Sequence, residues 1–257
     1  TSVHELAGES DGSSLHTVLV QELQRYNALL RSIRHSLGEL RKGIKGLVVM
    51  SADLDSIFLK LYLGQVPPQW LSAYPSLKPL ASWSRELLLR WAQLTDWCEH
   101  GVPKVFWLAG FTYPMGFLTA LLQNSARETS ASIDMLSWEF PVLANVADNE
   151  LTEPPAEGAY IKGLFLEGAG WNYENSHLCD PEPMQLVYDM PIVHFRPVEA
   201  KRSKSKLVYA CPLYLYPLRT GSRERPSYML PVDLRTGAST PEAWTKRGTA
   251  LLLSLAD

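Results

Sequence analysis

The sequence predicts an α+β protein: an N-terminal helical bundle followed by an antiparallel β-barrel-like domain. Three observations predict it. Leu19, Leu23, Tyr26, Leu30, Ile33, Leu37, Leu40 and Ile44 recur in alternating steps of four and three, the spacing of one helix face. Trp83, Leu87, Trp91, Leu94 and Cys98 repeat that spacing further on. Near Trp138 the character changes. Six of the 18 prolines precede it and 12 follow from Pro141 onward, and short runs of Val, Tyr, Phe and Leu replace helical periodicity.

The elements follow in order. Residues 1–14 are small and polar (Gly8, Ser10, Gly12, Ser13, Ser14) and read as a lead-in. The first helix carries Glu22, Arg25, Arg31, Arg34 and Glu39 off its seam, and Gly43 and Gly46 mark its end. A coiled coil needs three or four heptads, which this seam barely reaches; a long helix packed on neighbouring helices is the better reading. Ser51 or Asp53 caps a second helix through Leu54, Ile57, Phe58 and Leu61, stopped by Gly64. Val66-Pro67-Pro68-Gln69-Trp70 and residues 74–79 read as extended or turn segments. A third helix runs near 80–99 and ends at Gly101 and Pro103. Residues 104–111 read as a buried strand or turn, and Pro114 starts a fourth helix through Arg127. Candidate strands are 138–146, 158–167, 184–188, 191–196, 206–216, 227–234 and 248–255. In 206–216, Leu207, Tyr209, Cys211, Leu213 and Leu215 share one face. Short connections favour antiparallel pairing.

Composition narrows the function classes. At 257 residues, 46% hydrophobic and 20% charged, the chain has the make-up of a globular protein with one large core or two smaller ones. A net charge of −3 gives no global field for nucleic acid, and the apolar runs are far short of the roughly 20 residues that span a membrane. Cys98, Cys179 and Cys211 are widely spaced, with no Cys-x-x-Cys, which fits a reducing intracellular setting. No signal segment opens the chain, and its start at Thr1 reads as a fragment or a processed product.

A search for chemistry finds no reactive constellation. No phosphate-cradling Gly-x-x-x-x-Gly-Lys-Ser/Thr is present, and Arg41-Lys42-Gly43-Ile44-Lys45-Gly46 reads as a basic helix end that offsets the dipole. Gly168-Ala169-Gly170 reads as a tight β turn. His177 and Cys179 lack the further ligands zinc needs. Asp53 and Asp55 sit at a helix start, where the dipole favours acids. Trp70, Trp83, Trp91, Trp97, Trp107 and Trp138 read as packing rather than a ligand box. The basic loops 201–206 (Lys201, Arg202, Lys204, Lys206) and 219–225 read as solvated turns, or as a surface for an anionic partner.

Several word-like stretches carry a resemblance. Phe106-Trp107-Leu108-Ala109-Gly110-Phe111-Thr112-Tyr113-Pro114 comes after Gln24-Arg25-Tyr26-Asn27-Ala28-Leu29-Leu30, Lys45-Gly46-Leu47-Val48-Val49-Met50-Ser51, Val66-Pro67-Pro68-Gln69-Trp70 and Tyr74-Pro75-Ser76-Leu77-Lys78-Pro79. Gly163-Leu164-Phe165-Leu166-Glu167-Gly168-Ala169, Tyr209-Ala210-Cys211-Pro212-Leu213-Tyr214 and Lys246-Arg247-Gly248-Thr249-Ala250-Leu251-Leu252 follow in order. From about residue 18 onward this wording resembles the C-terminal region of axonemal dynein heavy chains. Met115, Gly170 and 215–218 depart from the family's usual residues.

The resemblance implies a non-catalytic segment of a microtubule motor of cilia and flagella, located in the cytoplasm, cytoskeleton and axoneme. It would brace the parent chain's ring of AAA+ modules and modulate ATP-driven movement. ATP and Mg would be bound by that ring, and no cofactor by this segment. Partners would be the ring, and microtubules and other dynein subunits through the parent chain; neither nucleic acid nor membrane is implied. Residues 1–64 would join or complete the last module, 65–137 would form the helical part of a C-terminal cap, and 138–257 its β-barrel part. Candidate ring-packing residues are Leu23, Tyr26, Leu30, Ile33, Leu37, Trp107 and Phe111. The alternatives are a free-standing adaptor using the two basic loops, and a free-standing enzyme with a cryptic pocket.

Overall fold

A computed structural model describes residues 13–199, 207–215 and 227–255. They fall into two compact units, divided between Cys98 and Glu99.

The first unit is helical. Helix α1 (Ser14–Ile44) starts where the Ser13 side chain accepts a hydrogen bond from the Leu15 N–H, and Gly46, with φ of 71°, turns the chain after it. Its buried stripe is Leu19, Glu22, Tyr26, Leu29 and Leu40. That differs from the seam expected from the apolar residues alone: Leu37 and Ile44 are exposed, and Glu22 is buried beside Arg25 at 3.1 Å. Helix α2 (Ala52–Tyr62) is capped by Ser51, whose hydroxyl accepts from the Leu54 N–H. Helix α3 (Pro68–Ala73) occupies a stretch expected to be extended, because a proline at the first helical position loses no hydrogen bond and already has helical φ. Helix α4 (Leu80–His100) buries Trp83, Arg90, Leu94 and Trp97. Arg90 thus takes the buried position expected for Trp91, which is 54% exposed. Leu29, Val66, Trp70, Tyr74 and Trp83 form the shared core, with Ile33, Leu61 and Leu87 against it.

The second unit mixes sheets and helices. Strand β1 (Val105–Trp107) leads through a 3-10 turn to helix α5 (Pro114–Thr129), in which Phe117 and Leu118 are fully buried. The strands that follow are β2 (Leu136–Glu139), β3 (Val142–Leu143), β4 (Ala159–Lys162), β5 (Phe165–Glu167), β6 (Gly170–Asn172), β7 (His177–Cys179), β8 (Val187–Asp189), β9 (Ile192–Glu199), β10 (Val208–Tyr214) and β11 (Tyr228–Arg235). Helix α6 (Pro241–Arg247), unforeseen in the sequence, separates β11 from β12 (Ala250–Leu252).

These strands build two five-stranded sheets and one hairpin among the described residues. One sheet runs β1-β4-β9-β2, with β3 also on β9; the other runs β11-β10-β12-β5-β8; β6 pairs with β7. Among the described residues neither larger sheet closes on itself, so the α+β class holds and the barrel-like description is not confirmed. All-antiparallel pairing does not hold either. β1 lies parallel to β4 in the register Phe106↔Ile161, and β10 parallel to β12 in the register Leu213↔Leu251. The physical reason is the connections: parallel neighbours need long crossovers, and here they carry α5 and α6. Along β10, Tyr209, Cys211 and Leu213 are buried as the alternation requires, while Leu207 is exposed.

Candidate functional site

The helical unit has an aromatic centre. Trp83 stacks on Trp70 with ring centroids 5.8 Å apart, and its indole N–H donates to the Tyr74 carbonyl at 3.4 Å. The Trp70 indole N–H donates to Ser36 Oγ at 3.1 Å, and the Tyr26 hydroxyl donates to the Leu87 carbonyl at 3.0 Å. Burial raises the Tyr26 pKa, which keeps that donor protonated. The Arg90 guanidinium lies 3.1 Å from the Tyr74 ring centroid, and its Nε and Nη2 have no hydrogen-bond partner. Burial pulls the Arg90 pKa down, opposed by the fields of Tyr74 and Glu22. The face of an aromatic ring is one of the few apolar surfaces that favours a buried cation.

In the second unit, Phe106, Phe111 and Phe117 form a cluster, with Phe117 centred 4.6 Å from each of the other two. Glycines set its strand turns. Gly158 has φ of 75°, and a Cβ there would lie 2.0 Å from the Phe195 carbonyl oxygen. His194, on β9, lies against the same turn: its Nε2 is 2.7 Å from the Glu157 carbonyl oxygen, and its ring meets Tyr160 edge-on. Burial lowers the His194 pKa despite that hydrogen bond. The folded state therefore favours the neutral ring. Its contribution is present above the ordinary imidazole value of about 6.5 and is lost as pH falls through the lowered folded value. Melting curves between pH 7.5 and 5 should show a smaller acid loss in His194→Gln than in the parent protein.

The residues singled out from sequence fall in different places. Tyr26 and Phe111 are buried; Leu23, Leu30, Ile33 and Trp107 are half-buried; Leu37 is 41% exposed. Ile33 packs on the Trp70–Trp83 core, and Phe111 stacks on Phe117, so both serve their own units. Lys201, Arg202, Lys204 and Lys206 lie outside the described residues, as does the loop 219–225. Arg41 and Lys42 do form the last turn of α1, and Lys42 pairs with Glu39 at 2.7 Å. Among the described residues no three His, Cys, Asp or Glu side chains gather as a metal site, and no helix is long and apolar enough to cross a membrane.

Sequence reasoning missed one face. On α2, Leu54, Ile57 and Leu61 turn inward, while Phe58, Leu59, Tyr62 and the adjoining Leu63 are exposed. Ile44, Leu47 and Val49, just before α2, are exposed as well. The signal was present in the sequence: α2 has apolar residues on both sides, which a surface helix does not need.

The described residues form a helical unit followed by a unit of mixed sheets and helices, an α+β fold. Residues 2–253 match the family model for the C-terminal domain of the dynein heavy chain, and the protein belongs to that family. It is 61% identical over 250 residues to the dynein-1-beta heavy chain of the flagellar inner arm I1 complex from Chlamydomonas reinhardtii, a match over 97% of the present sequence and 6% of that relative. It is 53% identical over 246 residues to human dynein axonemal heavy chain 2, a match over 95% and 6%. With mouse dynein axonemal heavy chain 1 it shares 42% over 247 residues, 94% and 6%. The protein therefore spans about one-sixteenth of the length of these relatives.

Proposed function

We propose that this protein is the C-terminal, non-catalytic segment of an axonemal dynein motor. It braces the AAA+ ring of its own heavy chain and tunes ATP-driven movement along microtubules in cilia or flagella. ATP and Mg belong to that ring. The name of the relative at 61% identity favours an inner-arm motor. In this reading residues 1–64 join or complete the last AAA+ module, and 65–137 with 138–257 form the cap. Leu23, Tyr26, Leu30, Ile33, Leu37, Trp107 and Phe111 are the ring-packing residues of this reading.

The observation that carries the bracing is the core shared across residue 64. Leu29 on α1 packs in one cluster with Val66, Trp70 and Trp83. A joint built this way transmits displacement instead of absorbing it, because close-packed side chains are stiff. The test is fractionation with an antibody raised to this sequence. A very large band released by salt from axonemes is expected; a band near 28.8 kDa confined to cytosol would overturn the reading. The purified 257 residues should show no ATP hydrolysis above a buffer blank.

A further inference from the structure

We propose that the basic stripe along the exposed side of α1 binds an extended, Glu- or Asp-rich segment of a separate polypeptide. This goes beyond the motor reading and does not rest on it. Between positions 31 and 45 the sequence sets Arg31, Arg34, Arg41, Lys42 and Lys45 against a single carboxylate, Glu39, in a protein whose net charge is −3. All five cations are exposed, as is His35 among them. Their spacing puts them on one side of the helix, within an arc of about 120°. The core holds the opposite side. Leu29 and Leu40 are buried, Ile33 packs on the aromatic cluster, and Ser36 accepts from the Trp70 indole. The stripe therefore faces away from its own unit.

Two observations separate it from ordinary solvated charge. The first is how few of its cations are engaged. Lys42 pairs with Glu39 at 2.7 Å; among the described residues Arg31, Arg34, Arg41 and Lys45 have no carboxylate within ion-pair distance. The helix dipole favours Arg41 and Lys42 in the last turn, but its field fades within that turn, and Arg31 and Arg34 lie beyond it. Like charges three and four residues apart repel on a helix, a cost this unit does not recover internally. The second is Gly38, in the middle of the stripe. Glycine weakens a helix interior relative to alanine, and nothing in the fold stands within 4 Å of where its Cβ would lie. The missing side chain opens a gap between Arg34 and Arg41 in which another backbone can come close to the helix.

Shape and chemistry select the occupant. From Arg31 to Lys45 the stripe runs about 21 Å, the span of about six residues of extended polypeptide. A carboxylate-bearing strand of that length meets every cation. Ile44, 65% exposed, lies beside Arg41 and Lys45 and offers an apolar edge that a peptide side chain covers and a phosphodiester does not. No Phe, Tyr or Trp interleaves the cations, as stacking on nucleic-acid bases would use. A membrane-surface helix buries the face opposite its cations in the acyl layer, and that face of α1 is already in the core. A stable protein interface keeps charge away from its centre and at its rim; here the charge is central. The stripe is thus suited to a partner that comes and goes, steered by charge.

The probe is a fluorescein-labelled octaglutamate peptide, titrated with the full-length protein that carries these residues and followed by fluorescence anisotropy. Saturable binding that weakens between about 50 and about 200 mM salt is expected, with no binding of octaglutamine. The double variant Arg31→Glu, Arg34→Glu should bind at least about tenfold more weakly, because two attractions become two repulsions. Both positions lie outside the last turn and are exposed, so its melting temperature should stay within about 2 °C of the parent. Gly38→Leu keeps every charge and fills the gap; it should weaken binding at least about threefold. No binding by the parent, equal affinity in the charge-reversed variant, or unchanged affinity in Gly38→Leu would overturn the proposal. Stronger competition by a DNA duplex, or by vesicles of phosphatidylserine and phosphatidylcholine, than by unlabelled octaglutamate would also overturn it, in favour of nucleic acid or membrane. Finally, the photo-crosslinker benzoylphenylalanine replaces Gly38 and the purified protein is irradiated alone. No crosslink to its own polypeptide above an unirradiated control is expected; such a crosslink would show the stripe already covered and would overturn the proposal.

Discussion

Replacing Trp83 by alanine should lower the unfolding free energy by about 3–5 kcal/mol, the usual range for removing a fully buried large aromatic. Trp83 is 1% exposed and lies in the core shared by α1, α3 and its own helix. Its loss removes the 5.8 Å stack on Trp70 and the tilted contact with Tyr74, and leaves the Tyr74 carbonyl without its indole donor. Tyr74 is also the ring under the Arg90 guanidinium, so a looser Tyr74 takes from a buried cation the ring face that stabilises it. Urea unfolding followed by far-ultraviolet circular dichroism measures the effect. Trp91→Ala is the control: that ring is 54% exposed, and its removal should change stability by less than about 1 kcal/mol. Equal losses from the two substitutions would contradict the core described here.

Gly158→Ala should destabilise the sheet-bearing unit by at least about 2 kcal/mol. Two separate effects add. The φ of 75° is a left-handed conformation that costs an alanine about 1 kcal/mol or more. The new Cβ would also lie 2.0 Å from the Phe195 carbonyl oxygen, so the turn into β4 and strand β9 must move apart. β9 pairs with β2, β3 and β4 in turn, so a displacement there reaches most of the sheet. Gly38→Ala is the opposite case. It lies inside α1, nothing stands within 4 Å of where the added methyl would sit, and it should gain about 0.5–1 kcal/mol. Thermal melts of both variants against the parent protein give the two signs directly.

Local signals in the sequence were strong where a single residue type decides the backbone. Ser51 capped α2, Gly64 turned the chain just after it, and Pro114 opened α5, each by its own stereochemistry. Helix phase was harder. The apolar residues of α1 and α4 fit a four-three alternation that can start with either step. Burial chose the phase that takes in Glu22 and Arg90, which the spacing of apolar residues alone does not report. α3 was hidden behind Pro67 and Pro68, whose restraint on the preceding residue reads as extended structure from either side. Parallel pairing of β1 with β4 and of β10 with β12 depends on contacts between residues far apart in sequence, which short connections do not report. The exposed face of α2 was legible as an excess of apolar residues, but only the fold showed which of its two sides was already covered.

Under the proposed function, this segment tunes movement without taking part in ATP chemistry. Its most direct test compares full-length heavy chain with heavy chain lacking residues 65–257, measuring ATP hydrolysis and microtubule gliding velocity on the same preparations. The truncated motor is expected still to hydrolyse ATP, while its gliding velocity, or the number of ATP molecules used per distance moved, changes. Loss of nucleotide binding on truncation, or velocity and ATP use both identical to the full-length motor, would contradict it.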